Sequence, residues 1–168
     1  MLAKDTEKRS ASEVAKLLET RGGKFSATAG NNTIQLAIEV FPDDLPLAVE
    51  LLSEALVCPA FNEATFQTEL NSQIAMVKEQ DDEIFEYGFR LLREKFFGDH
   101  PFSVGTYGRL VDLESLDCQS LRTYFDRLVR ASNRVLSVCG DFVEERLQAL
   151  LASHLEGQLR AENFEPIP

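Results

Sequence analysis

The chain has 168 residues, of which 44% are hydrophobic and 27% are charged, a composition typical of one soluble globular domain with its own core. Its formal net charge of −11 argues against binding to nucleic acids or to anionic membrane surfaces, because both require a basic face. The sequence has no apolar run of about 20 residues that could span a membrane, so we expect a soluble chain, either cytoplasmic or periplasmic.

The first predicted elements are a helix and a β-hairpin. Ser10 and Glu13 have the spacing of a capping box, which begins a helix that a Gly-Gly pair ends. Strands are predicted for 24–29 and 33–40, and the Gly-Asn-Asn sequence between them favours a tight turn. Apolar residues alternate along the second strand, so one of its faces should be buried. The residues predicted to lie on that face are Ile34, Leu36, Ile38 and Val40.

Two helices are predicted to follow the hairpin. The first begins at Pro42 and ends before Pro59. The second is long, with Asn62 as its cap, and extends to about Phe97; the polar stretch 78–83 is expected to bend or break it. We expect this long helix to have an apolar stripe that extends into its second half. In its second half the members of that stripe are Ile84, Gly88, Leu91 and Leu92.

The rest of the chain is predicted to form a helix over 117–129, a short strand over 135–139 and a last helix from Glu144 to about His154. Several helices beside few strands indicate an α+β fold, an antiparallel sheet with several helices packed on it. Three strands are few for so many helices, so we expect the sheet to continue in residues outside this chain. We assign residues 1–161 to a partial domain and residues 162–168 to a linker or tail.

The residues alone show no catalytic constellation. His100 and His154 are far apart in the sequence and are expected to have structural roles, whereas a zinc site needs three converging protein ligands. The three cysteines do not suggest a disulfide framework, and Cys58 and Cys139 lie in apolar stretches where burial is expected. One face of the long helix is expected to be solvated; its members are Glu69, Gln73, Met76 and Gln80.

Two long segments resemble the pitrilysin/insulinase family of zinc metallopeptidases, which includes the mitochondrial processing peptidases. From Lys8 to about Leu56, the sequence KRSASEVAKLLETRGGKFSATAGNNTIQLAIEVFPDDLPLAVELLSEAL follows the family's order of helix start, Gly-Gly, two strands, Asp-Leu-Pro and a leucine-rich helix. Further on, the chain matches a second series of family residues in the same order and at the same spacing. Its members here are FFGDHPF, Gly108, Leu113, Leu116, Leu121, Asn133 and Gly140-Asp141. The resemblance covers about residues 8–156. It implies the LuxS/MPP-like metallohydrolase fold, here incomplete.

The resemblance also implies where a zinc site should lie. In the family, two ligands and the catalytic Glu belong to an H-x-x-E-H motif that would stand before the first residue of this chain, and the third ligand is a Glu on the long helix. Met76 occupies the position of that Glu, and a thioether is a poor zinc ligand. Glu69 matches a second acidic residue near the family's site. We therefore expect no catalytic residue and no metal ligand here, with Glu69, Gln73 and Met76 marking a degenerate site.

Members of the family commonly consist of two similar halves, one zinc-bearing and one degenerate, that close around an unfolded peptide. The resemblance thus implies a non-catalytic, substrate-chamber-forming portion of a zinc metalloendopeptidase, the degenerate C-terminal half, and this chain alone is predicted to be inactive. Its expected partners are a peptide substrate and a homologous half that holds the zinc, in the same parent chain or in a partner subunit. Ala27, Thr28 and Ala29 match the edge strand to which substrate adds as a further strand. A covered or blunted edge is the alternative for these three residues.

Two other interpretations remain open. One is a catalytically dead structural or assembly subunit, like the core proteins of respiratory complexes. The other is a catalytic half in which Met76 serves as an unusual ligand. The parent open reading frame discriminates among them, because an H-x-x-E-H motif with a downstream Glu in the neighbouring half favours the peptidase.

Overall fold

The chain is divided into two compact units in the computed structural model, which describes residues 1–129 and 133–155. The β-hairpin contributes residues to both units. The first unit contains 1–27, 36–61 and the described residues from 119 onward, and the second contains 28–35 and 62–118.

The described elements are α-helices and one two-stranded antiparallel sheet. In chain order they are α1 (Ala11–Glu19), β1 (Lys24–Ala29), β2 (Ile34–Glu39), α2 (Leu45–Val57), α3 (Glu63–Asp82), α4 (Ile84–Phe97), α5 (Leu110–Glu114), α6 (Cys118–Leu128) and α7 (Glu144–Leu155). Short 3₁₀ turns lie at Pro42–Asp44 and Pro101–Ser103. This arrangement confirms the predicted incomplete α+β fold.

In the first unit, local hydrogen bonds determine both ends of α1. The Ser10 hydroxyl accepts from the Glu13 backbone N–H at 3.3 Å, and a Glu13 carboxylate oxygen accepts from the Ser10 backbone N–H at 2.8 Å. This is the predicted capping box. At the other end Gly22 has a φ of +68°, which favours glycine, and the Gly23 N–H donates to the Leu18 carbonyl at 2.8 Å.

The core of the first unit forms where α1, α2 and the base of the hairpin meet. Val14, Leu18 and Leu51 are buried at its centre. Burial of such a side chain stabilises the fold by about 1.5–3 kcal/mol. Partly buried side chains pack around this centre, namely Phe25, Ile38, Val40 and Leu47. Helix α7 packs against α2.

In the second unit the predicted long helix is two helices. Glu83 separates α3 from α4 with an extended backbone, φ −87° and ψ 111°, which confirms the expected break in the polar stretch. Asn62 caps α3, because its side-chain oxygen accepts from the Ala64 N–H at 2.9 Å. The Arg90 guanidinium pairs with the Asp81 carboxylate at 2.8 Å across the break.

His100 stabilises the turn that follows α4. Its Nδ1 accepts from the Phe102 backbone N–H at 3.1 Å, and its ring lies 4.9 Å from that of Phe102 and 5.9 Å from that of Phe97. The structural role expected for His100 is confirmed. His154 lies in the last turn of α7, where a basic side chain complements the helix dipole.

The predicted strand over 135–139 is absent. This segment is described but has no regular structure, and Val135 is 95% exposed. A strand requires a hydrogen-bonded neighbour, and only β1 and β2 pair as strands among the described residues. Cys139 is therefore exposed rather than buried, whereas Cys58 is half-buried.

The predicted apolar stripe of α4 is not buried. No residue of α4 is buried, and Ile84 and Leu92 are 78% and 61% exposed. Ile34 is exposed as well, because it lies at the turn end of the hairpin, beyond the core around Ile38 and Val40.

The described helices include none that is long and apolar enough to cross a membrane. The predicted linker at 162–168 lies outside the described residues, so the assignment of a single domain over 1–161 stays a prediction.

Candidate functional site

The positions expected to mark a degenerate zinc site lie together on α3. Glu69, Gln73 and Met76 follow one another at four and three residues, which places them on one helix face. Met76 is 44% exposed, and Glu69 and Gln73 are half-buried. The face thus presents a carboxylate, an amide and a thioether side by side, a set of which only the carboxylate is a good zinc ligand.

Zinc does not fit the residues that the structure describes. Nowhere in 1–129 or 133–155 do three His, Cys, Asp or Glu side chains come together in a way that could hold a metal ion. The described residues by themselves therefore support no metal-dependent step.

A glycine turn contacts the α3 face at Gln73. The Gln73 Nε2 donates to the Tyr107 carbonyl at 3.0 Å. Tyr107 lies in a turn closed by the Gly108 N–H donating to the Gly105 carbonyl at 3.0 Å, with Gly108 at a φ of +81°. The sequence showed both glycines, but only the fold brings their turn to α3.

The same loop also contacts the tip of the hairpin. The Asn31 side-chain amide donates to the Val104 carbonyl at 3.1 Å. Polar side chains from the hairpin turn and from α3 therefore hold the loop over 104–108 at two points. Nothing in the sequence pattern indicated this connection, because the partners are 73 and 34 residues apart.

Strand β1 has an open edge in the described sheet, where it pairs only with β2. Its residues Ala27, Thr28 and Ala29 are all exposed. The Gly30 N–H donates to the Thr33 carbonyl at 2.8 Å, so Gly30 and Thr33 form a hydrogen-bonded pair at the turn.

Hydrogen-bonded and non-hydrogen-bonded pairs alternate along an antiparallel ladder, and this alternation fixes where the backbone N–H and C=O groups of each β1 residue point. Pairs alternate along the hairpin, so Thr28 directs its backbone groups towards β2. Ala27 and Ala29 direct their N–H and C=O groups away from β2, to the open edge. This edge is the kind to which an extended peptide can add as a further strand.

The comparison with known proteins identifies the family. A model of the insulinase family, peptidase family M16, matches residues 1–108. The chain belongs to this family. The resemblance inferred from the sequence is thereby confirmed.

Relatives of this chain include proteins named as zinc proteases and proteins named as a subunit of the mitochondrial cytochrome b-c1 complex. An uncharacterized zinc protease of Mycobacterium tuberculosis is 27% identical over 163 residues, which are 95% of this chain and 36% of that protein. Subunit 1 of the mitochondrial cytochrome b-c1 complex of Bos taurus is 22% identical over 98% of this chain and 34% of its own length. The chain spans about a third of the length of these relatives.

A solved M16 structure has the same fold. The crystal structure of a peptidase M16 inactive domain from Pseudomonas fluorescens matches all of this chain and 41% of its own, with a TM-score of 0.88 and 18% identity. At this identity the match supports the fold alone. The α+β architecture is therefore that of an M16 peptidase domain.

Proposed function

We propose that this chain is a non-catalytic, substrate-chamber-forming portion of a zinc metalloendopeptidase. Peptide hydrolysis is carried out by a homologous zinc-bearing half, in the same parent chain or in a partner subunit. The observation behind this proposal is Met76, a thioether on the α3 face at the position where the family resemblance implies a zinc-binding Glu. The zinc belongs to the other half, and this chain holds the substrate.

The open edge of β1 is the part of the chain best suited to hold a peptide. Ala27 and Ala29 offer backbone donors and acceptors, which bind an extended peptide largely independently of its sequence. Their small, exposed side chains leave room beside the edge. The chain's net charge of −11 attracts basic peptides over long range.

A matched pair of proline variants tests this role. Ala29 and Ile34 lie opposite each other in the hairpin, and each directs its N–H away from the other strand. Ala29→Pro removes a donor from the open edge of β1, and Ile34→Pro removes one from the outer edge of β2, without breaking the ladder between them. In the complete protein or complex that contains this chain, we expect Ala29→Pro to raise KM for peptide cleavage about tenfold, because one hydrogen bond from the strand edge to the substrate is lost. Ile34→Pro should leave KM unchanged.

Two results would contradict the proposal. One is an equal KM for the two proline variants, which would show that the β1 edge does not bind the substrate. The other is stoichiometric zinc binding and peptide cleavage by this chain alone, which would make it a catalytic half.

A structural or assembly subunit is the second candidate function. It is favoured by the match to subunit 1 of the cytochrome b-c1 complex, which extends over 98% of this chain. Deletion of the gene separates the two candidates. Loss of a peptidase activity while the associated complexes stay intact supports the first, and loss of a complex without any change in peptide cleavage supports the second.

A further inference from the structure

Helix α4 exposes an apolar stripe with the spacing of a helix-pairing seam. Phe85, Phe89, Leu92 and Phe96 follow one another at four, three and four residues and are 78%, 64%, 61% and 79% exposed. At about 100° per residue they fall within a narrow arc of the helix surface. Apolar residues at alternating steps of four and three form the contact line between paired helices. The stripe therefore has the pattern of a contact surface, and all four of its side chains are more than half exposed.

One flank of the stripe has charged side chains, and the other flank is open. A groove beside it is lined by Glu86, Phe89, Leu92, Arg93, Phe96 and Phe97. On the other flank, a Cβ added at Gly88 would meet no atom within 4 Å. A second helix could thus approach α4 closely from this side.

The positions on α4 are symmetric about one point. Phe85 and Phe96 are equally far from the midpoint of residues 90 and 91, and so are Phe89 and Leu92. In an antiparallel pair of identical helices, each Phe89 consequently lies against Leu92 of the second copy. A two-fold axis makes such a surface complementary to itself.

The flanking charges follow nearly the same symmetry. Glu86 and Arg93 are centred one residue from that midpoint and lie on the same side of the stripe. Antiparallel pairing brings Glu86 of each copy beside Arg93 of the other, giving two opposite-charge pairs. Helix α4 has three basic residues and two acidic ones, so its own charge is +1 in a chain of net charge −11. The net negative charge that makes copies of this chain repel each other is therefore not concentrated at this helix.

From this geometry we propose that α4 is a self-association surface, at which two copies of this chain pair their α4 helices antiparallel. The inference does not depend on the proposed peptidase role. A helix of 14 residues is about 21 Å long, so the contact is small and we expect a weak dimer whose population depends on concentration.

Charge reversal tests both the partner and the orientation. Glu86→Arg and Arg93→Glu each place like charges opposite each other at both symmetric positions, and each should raise the dimer Kd at low salt about tenfold. The double variant, Glu86→Arg with Arg93→Glu, should restore the wild-type Kd. An equimolar mixture of the two single variants should form heterodimers. Sedimentation equilibrium of the full chain measures each Kd.

Apolar variants complete the test. Leu92→Lys places a charge at the centre of the seam and should abolish dimerisation, whereas Val111→Lys, on an exposed apolar residue of α5, should leave the Kd unchanged. A monomer at all concentrations up to the millimolar range would overturn the proposal. An equal rise of the dimer Kd in the single and double charge variants would overturn it too. The proposal would also fail if α4 became protected from hydrogen exchange when a different protein is added but not when the chain itself is concentrated.

Discussion

Arg9 and Glu54 form an ion pair in which the carboxylate is almost completely buried. The Glu54 side chain is 2% exposed, whereas that of Arg9 is 24% exposed. The Thr6 hydroxyl donates to the second Glu54 oxygen at 3.2 Å, and Arg9 also pairs with Glu50 at 2.6 Å. Hydrogen bonds from Arg9 to Glu50 and Glu54 raise the pKa of the Arg9 guanidinium. This cluster attaches the N-terminal segment to α2, 45 residues further along the chain.

We expect Arg9→Met to lower the free energy of unfolding by about 3 kcal/mol, because it leaves the Glu54 carboxylate buried without its main counter-charge. Urea unfolding at pH 7 measures this change. Glu50→Ala is the matched control, since its carboxylate is 35% exposed, and its cost should stay below about 1 kcal/mol. The double variant, Arg9→Met with Glu54→Met, should recover most of the loss because it removes both buried charges. A change below 1 kcal/mol for Arg9→Met would contradict the assigned role.

The capping box of α1 predicts a pH dependence. Hydrogen bonds from the backbone and side chain of Ser10 lower the pKa of Glu13 below its ordinary value of 4.5. Because the folded-state pKa is the lower one, this contribution to stability is present above pH 4.5 and is lost as the pH falls through the folded-state pKa. We expect wild type to be more stable than Glu13→Gln at pH 7 and the difference to shrink below pH 4.5. Thermal unfolding of both proteins from pH 7 to pH 3 checks this, and a difference independent of pH would contradict it.

The cysteines should differ in their reactivity. Burial raises the pKa of the Cys58 thiol, whereas Cys139 is exposed in a segment without regular structure. Because the thiolate is the reactive form, we expect an alkylating reagent at pH 8 to modify Cys139 about ten times faster than Cys58. Mass spectrometry of peptides taken at successive times measures both rates in one sample. Faster modification of Cys58 would show that the residues after α2 open more readily than the structure indicates.

Restoring a carboxylate at Met76 should not by itself create a zinc site. Met76 is 44% exposed, so Met76→Glu should change the free energy of unfolding by no more than about 0.5 kcal/mol. A site needs at least three protein ligands, and the described residues offer no such group near this position. Zinc content after dialysis should therefore be the same for Met76→Glu and wild type. One zinc per chain in wild type would instead support the catalytic half with an unusual ligand.

Several features were predictable from the sequence because they depend on neighbouring residues. The capping box of α1, the hairpin between 24 and 39 and the break near Glu83 each follow from a few adjacent side chains and backbone preferences. The ordered motifs from Lys8 onward were sufficient to identify the family, because their order and spacing can be read directly from the sequence.

The missed features depend on whether residues distant in the chain lie beside them. Residues 135–139 have the composition of a strand, but no strand pairs with them within 1–129 and 133–155. The loop over 104–108 is held by Asn31 and Gln73, a contact that no local pattern encodes.

By itself, the sequence determined the local elements, the family and the identity of residue 76, because each of these depends on residue type and spacing. Only the tertiary structure decided which apolar faces are covered. The stripe of α1 is buried because α2 and the hairpin pack against it, whereas the four side chains of the α4 stripe are 61–79% exposed. Hydrophobic periodicity specifies that a helix has an apolar face, and only the positions of the other elements specify whether that face meets a partner.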